Sequence, residues 1–410
     1  MKKRFSTAKA MTLAAASTIG IAIATPASAD PTPECNNGAG TNSTECGSDS
    51  NTGAATDATA IGADSQALER NSTAVGQEAI ATGSQATAIG AGSIASNSGT
   101  VAVGFDSEAS GVGSVAAGQD ATASGNLAVA VGDQSHATAF ETTALGNFSS
   151  ATGQSATALG SDALATGSNS TATGHTATAS GLFSTATGAF AKASAERAVA
   201  IGHESTASAI NATALGGGAG ALGAQATALG SQSFASATGT VAIGYFSMAG
   251  GDFAMSMGQN SKAAAEMSMA FGVDAGAAGI EATALGRLAR ADGEDSTAVG
   301  SHALASGEGS VAIGNRSVSS NQRTVALGVE ATASGEDSIA LGALSEASLD
   351  GAVALGFDAD ATAVNSIALG TGSRASASGA IANGVGTLAS GLNSIATGQY
   401  TRATGISSIA

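Results

Sequence analysis

Tryptophan is absent from the 410 residues, and 11 Phe and 2 Tyr are the only aromatics. A thick globular core needs large side chains, and an aromatic content of 3% cannot supply them, which disfavours a conventional enzyme fold. Charge is also scarce: charged residues make up 11%, too few for a strongly charged disordered chain. Proline stops after Pro33 and cysteine after Cys46, so neither rigid turns nor disulfides shape the remainder. No later segment reaches the ~18 consecutive apolar residues that a bilayer-spanning helix requires. The four histidines, His136, His175, His203 and His302, stand singly, without metal-ligand spacing. What the chain has in quantity is alanine and 58 glycines, the latter without the Gly-X-Y period of collagen. Such a composition predicts a thin, repetitive architecture filled by small side chains.

The first 29 residues read as a secretory signal peptide. Lys2, Lys3 and Arg4 form a basic start, Met11 to Ala24 a short apolar stretch, and Ala27-Ser28-Ala29 a small-residue cleavage site. Removing them leaves 10 Lys and Arg against 31 Asp and Glu, a net charge of −21. A surface of that sign repels nucleic acid, heparin-like polymers and anionic lipid. Residues 30–56 read as a polar leader, in which Cys35 and Cys46 are placed to close a small loop in an exported chain. A metal site at this pair lacks any neighbouring His or further Cys.

From Gly62 to Gly398 a glycine recurs every fourteen residues, 25 times without a gap. Two positions before it stands Ala in 24 of 25 repeats, with Ser256 the exception; five positions after it Ala again in 24 of 25, with Ser319 the exception. A self-similar period this short indicates one long solenoid whose single turns are too small to fold alone. Within each period the constraint alternates every second residue, the strand period and not the helical one. In Ser310-Val311-Ala312-Ile313-Gly314 one face is small and the other apolar; after a corner a second strand follows, as in Ala331-Thr332-Ala333-Ser334-Gly335. The small faces meet inside the coil, and coils stacked at ~4.8 Å give a rod of roughly 120 Å over residues 57–410.

The apolar face of the first strand is the anomaly. The residue just before the glycine is Ile, Leu, Val, Met or Phe in 20 of 25 repeats. Val103, Leu145, Leu215, Ile243, Met257, Phe271, Ile313, Leu327, Leu341, Leu355 and Leu369 belong to this stripe, which points away from the coil interior. So long an apolar stripe requires cover, and a rotationally symmetric oligomer that turns it toward a common axis supplies it. Met255, Met257, Met269 and Phe271 thicken the stripe over adjacent coils, whereas Thr173, Thr187, Asn383 and Thr397 interrupt it with polar groups.

Ser310-Val311-Ala312-Ile313-Gly314, Asp337-Ser338-Ile339-Ala340-Leu341-Gly342 and Asn365-Ser366-Ile367-Ala368-Leu369-Gly370 resemble the head repeat of YadA-like trimeric autotransporter adhesins. The resemblance covers residues 57–410. It implies an all-β, left-handed parallel β-roll, assembly as a homotrimer, and attachment of a bacterium to host matrix protein, host cell-surface receptors or other bacteria. The stalk and outer-membrane anchor usual in that family are not found in this sequence. Because it stops at Ser407-Ser408-Ile409-Ala410, two residues before the next glycine is due, the expectation is a chain cut mid-repeat, displayed on the cell surface if an anchor follows and secreted otherwise.

Sharper chemical readings find little footing. Gly218-Ala219-Gly220-Ala221-Leu222-Gly223 matches a dinucleotide fingerprint but lies inside the repeat, with no β-α-β context. Asp292-Gly293-Glu294-Asp295 and Asp358-Ala359-Asp360 match neither the Gly-rich Ca²⁺ nonapeptide nor an EF-hand loop. No nucleophile-base or carboxylate pair stands out, so no catalytic residue, cofactor or metal is assigned. Phe105, Phe148, Phe190, Tyr245, Phe246, Phe357 and Tyr400 share the corner just after the glycine; they are read as packing on a neighbouring coil or chain, with ligand contact the alternative. Three functions compete: an adhesive surface rod, an ice-binding or merely spacing solenoid, and a polysaccharide-cleaving β-helix. Ice binding needs paired Thr ranks, which only Thr171/Thr173 and Thr185/Thr187 offer, and polysaccharide-cleaving coils are longer and carry clustered acids or bases.

Overall fold

The computed structural model describes residues 35–410; the signal peptide read over residues 1–29 lies outside the described residues. Among the described residues there are 52 strands and no helix. After β1 (Cys35–Asn37) and β2 (Thr44–Cys46), three-residue strands alternate with two-residue ones, from β3 (Thr59–Ile61) and β4 (Gln66–Ala67) to Ile395–Thr397 and Arg402–Ala403. From β3 onward each pairs in parallel with its copy fourteen residues on: Thr59, Ala60 and Ile61 face Thr73, Ala74 and Val75, and Gln66 and Ala67 face Ile80 and Ala81. The chain is therefore a parallel β-solenoid of fourteen-residue coils with one sheet of three-residue strands and a second of two-residue strands.

The interior is a column of small side chains. Ala60, Ala74 and Ala88 of the first sheet and Ala67, Ala81 and Ala95 of the second are fully buried, and Ser, Thr or Ala fills the flanking interior positions, as at Ser65, Thr100 and Ala79. Ser256 and Ser319, the two exceptions to alanine, stay inside by pairing with hydroxyls across the coil, Ser256 with Ser261 at 2.6 Å and Ser319 with Thr324 at 2.7 Å. A buried hydroxyl that keeps a partner escapes the cost of an unsatisfied polar group.

Two turns close every coil. In Gly62–Ser65 the Ser65 N–H donates to the Gly62 carbonyl at 3.3 Å, and Asp64, third in the turn, has φ +57°. In Glu69–Ser72 the Ser72 N–H donates to Glu69 at 3.1 Å and Asn71 has φ +58°. A positive φ at the third position alone is the type II signature. Interior hydroxyls reinforce both corners: Ser65 Oγ donates to the Gly62 carbonyl at 2.9 Å and Thr100 Oγ1 to that of Asn97 at 2.6 Å. The repeat glycine has two independent reasons to lack a side chain. At Gly314, φ is +138°, and a Cβ would collide with the carbonyl group of Gly328 in the next coil.

The first sheet starts at Thr44, inside the segment read as a polar leader. Thr44, Glu45 and Cys46 stack in parallel on Thr59, Ala60 and Ile61, while β1 pairs antiparallel with β2 and closes that end. Cys35 and Cys46 are disulfide-bonded across this hairpin, with Cα atoms 4.3 Å apart. Glu45 occupies the interior column, where Oε1 accepts hydrogen bonds from Thr52 N–H and Thr52 Oγ1, both 2.7 Å. The end coil was hidden because Gly47 lies fifteen residues before Gly62, one more than the period.

Candidate assembly and binding faces

Strand alternation sets the outward face of the first sheet. With Ala312 inside, Val311 and Ile313 must point out, and the parallel register then lines up Ile313 with Leu327, Leu327 with Leu341, Leu341 with Leu355 and Leu355 with Leu369. Val103, Leu145, Leu215, Ile243, Met257 and Phe271 lie on the same column further up the rod. In the single chain these side chains are half-buried or exposed, Ile313 at 36% and Leu327 at 44%. The column is interrupted at Thr173 and Thr187, which face one another, and at Asn383 and Thr397, which do likewise.

The second sheet and the two corners carry charge in coil-to-coil ladders, because residues fourteen apart are neighbours. Arg374 Nε donates to Asp360 Oδ2 at 2.8 Å, and Arg316 pairs with Glu330 at 3.2 Å. Arg323 is the hub of the largest group, reaching Asp337 and Glu336 at 2.6 Å each. Hydrogen bonding to these carboxylates holds the Arg323 guanidinium well above its ordinary range, and the Arg323 hydrogen bond in turn lowers the Asp337 carboxyl below 3.8. The acidic clusters noted in the sequence are partly spent in such pairs: Asp292 holds Arg290 at 2.8 Å and Asp360 holds Arg374.

The corner aromatics do not form one patch. Phe105 and Phe357 are exposed and many coils apart, and Tyr400 stands near the end of the chain. Phe190 sits edge-on between His175 and His203 of the flanking coils, with ring centroids 5.3 and 5.9 Å away, and Tyr245 meets Phe246 at 4.3 Å. Phe148, Phe190, Phe246 and Tyr400 all hold positive φ, between 55° and 59°. That conformation suits Asn, Asp or Gly and costs a bulky residue on the order of 1–2 kcal/mol. Phe183 and Phe253 carry the same strain at the opposite corner.

The YadA head domain repeat, taken two copies at a time, matches from residues 54–79 through to 389–410, with successive windows covering nearly all of that span. The chain belongs to the YadA head domain repeat family. Among solved structures, these YadA-type repeats are similar to the crystal structure of the collagen-binding domain of the Yersinia adhesin YadA, at 36% identity over 31% of this chain and 71% of that one, with a TM-score of 0.29. No curated protein matches the chain.

Two features of the YadA-type coil were missed in the sequence: the two left-handed turn positions, seven residues apart, and the hydroxyl-to-carbonyl bonds that brace them. Asn and Asp recur at both turn positions, as at Asp64, Asn71, Asn211 and Asp337, and were the available signal.

Proposed function

We propose that this chain is the head of a bacterial surface adhesin, three copies of which pack along the Ile/Leu/Val column and present the second sheet and the corners to a host matrix protein or cell-surface receptor. The observation that carries the proposal is the long apolar column, polar only at Thr173, Thr187, Asn383 and Thr397, on a coil whose interior is already filled. An interior alanine contributes about 0.8 kcal/mol per buried methyl, whereas covering an aliphatic side chain of the outer column contributes roughly 1.5–3 kcal/mol. The larger apolar reserve of the molecule therefore lies outside the coil, where a second and third copy can use it. Membership of the YadA head family and the export signal support display at the cell surface. The paired Thr ranks that would favour ice binding extend over two coils only, Thr171 with Thr173 and Thr185 with Thr187.

Adhesion spread over many coils gains strength by avidity. Chains shortened by whole repeats, applied to immobilised collagen, fibronectin and laminin, are expected to bind more tightly as repeats are added. Affinity independent of repeat number assigns binding to one local site. Absence of binding to matrix proteins, cells and like rods leaves a spacer.

A further inference from the structure

The second sheet is not uniform along the rod. Six positions after the repeat glycine stands Ser or Thr in 19 of 25 coils, but Gly250, Ala264 and Ala278, in three consecutive coils, replace that hydroxyl with less. Beside them the outward column of the second sheet reads Phe234, Met248, Lys262, Gly276, Arg290, each in register with the next. A cavity of about 190 Å³ opens between Phe234, Met248, Gly250 and Lys262. A second of about 260 Å³, sharing Lys262 and Ala264 with the first, continues past Gly276 to Arg290 and its partner Asp292. Together they form one groove parallel to the rod axis.

The two ends of the groove differ chemically. Phe234 and Met248 are more than a third exposed, so the upper end is apolar. Met248 is the one methionine on the second sheet among the described residues, a side chain suited to an adaptable contact surface, whereas Met255, Met257 and Met269 lie on the first. At the lower end Gly276 leaves a gap in the column, where a Cβ would meet nothing within 4 Å. Lys262 and Arg290 flank that gap one coil away on either side, and among the described residues Lys262 makes no ion pair. A carboxylate seated in the gap meets the unpaired Lys262, whereas Arg290 on the far side is already held by Asp292 at 2.8 Å. A polyanion is disfavoured, because the chain carries 31 acidic residues against 14 basic ones.

We propose that this groove docks an extended polypeptide segment of the host partner, with an apolar side chain over Phe234, Met248 and Gly250 and a carboxylate in the gap at Gly276. Two coils separate these positions, about 10 Å, which an extended chain spans with two to four residues at ~3.3 Å each. The inference rests on the adhesin reading above, in that the second sheet must face outward in the assembly.

The test uses the full chain and a phage-displayed library of random twelve-residue peptides, selected against it and counter-selected with the triple variant Gly250→Ser, Ala264→Ser, Ala278→Ser. That variant restores the side chain most coils carry and fills the groove floor. Enriched peptides are expected to hold Asp or Glu two to four residues from an apolar residue. They should bind the serine variant and Lys262→Glu at least tenfold more weakly, and lose as much when their own acid is changed to its amide. Lys262→Glu alone carries the test if the serine variant misfolds. No enrichment, equal binding to both variants, or Lys262-dependent binding of heparin fragments in place of peptides overturns the proposal. If the serine variant still adheres fully to matrix proteins and no peptide is enriched, the groove fails and the adhesin reading stands. If peptides bind the groove but the rods adhere to nothing, the reverse holds.

Discussion

Gly309 and Gly314 lie five residues apart and respond oppositely to substitution. Gly309 holds a left-handed turn position, φ +62°, where a Cβ would meet only the Arg323 side chain at 3.9 Å. Gly309→Asn is therefore expected to be neutral or to stabilise by about 0.4–1 kcal/mol, since Asn tolerates this conformation and the unfolded chain loses freedom. Gly314→Ala combines a positive φ with a collision against the next coil's backbone, and should open the coils around it by at least ~2 kcal/mol. Amide hydrogen exchange across residues 300–330 distinguishes the two. At Asp337 the folded carboxyl titrates below 3.8 because Arg323 hydrogen-bonds it, so its small, solvent-screened stabilisation is present above that value and is lost as pH falls through the depressed one. A carboxyl NMR titration should place the Asp337 midpoint below 3.8 in the native chain and return it toward 3.8 in Arg323→Gln. The interior was readable at this scale because a column admitting only Ala, Ser, Thr or Gly betrays its confinement. The left-handed turns were not, since turn hydrogen bonds hold even Phe148, Arg316 and Leu344 in that backbone beside Asp64, which blurs the Asn and Asp signal.

At the scale of the coil, repetition explains both what could be read and what could not. Every coil but the first continues a fourteen-residue register, so its two strands follow from alternation alone. The first departs by one residue at Gly47, and its structure depends on contacts the repeat does not predict: the Cys35–Cys46 disulfide, the antiparallel β1, and Glu45 inside the column. Together they terminate a stack whose exposed strand edge would otherwise invite further pairing. Because each coil contacts only its neighbours, damage here should remain local. Glu45→Leu leaves Thr52 N–H and Thr52 Oγ1 without their acceptor, and reduction of the disulfide releases a loop constraint worth roughly 2–3 kcal/mol. Either change should raise hydrogen exchange between residues 35 and 62 and leave the coils beyond residue 90 unaltered. Exchange rising along the whole rod would show that the coils unfold as one unit.

For the whole molecule, the proposed trimer turns on which sheet faces the partner copies. The first sheet presents a nearly unbroken aliphatic column, whereas the second presents Lys262, Arg290, Glu346 and Arg374 among its outward residues. Burying the second sheet would strand those charges, and exposing the first would leave a long apolar stripe in water. Replacing Ile313 and Leu327 by Lys places charges of one sign in every copy at the same level of the seam, where none can pair with another. Thr332→Lys, in the outward column of the second sheet, adds a cation that remains in water. Sedimentation equilibrium on a five-repeat segment centred on these residues is the most direct measurement: trimer for the native segment and for Thr332→Lys, monomer or aggregate for Ile313→Lys with Leu327→Lys. Trimer mass retained by the double variant, or dissociation caused by Thr332→Lys, would contradict assembly through the first sheet.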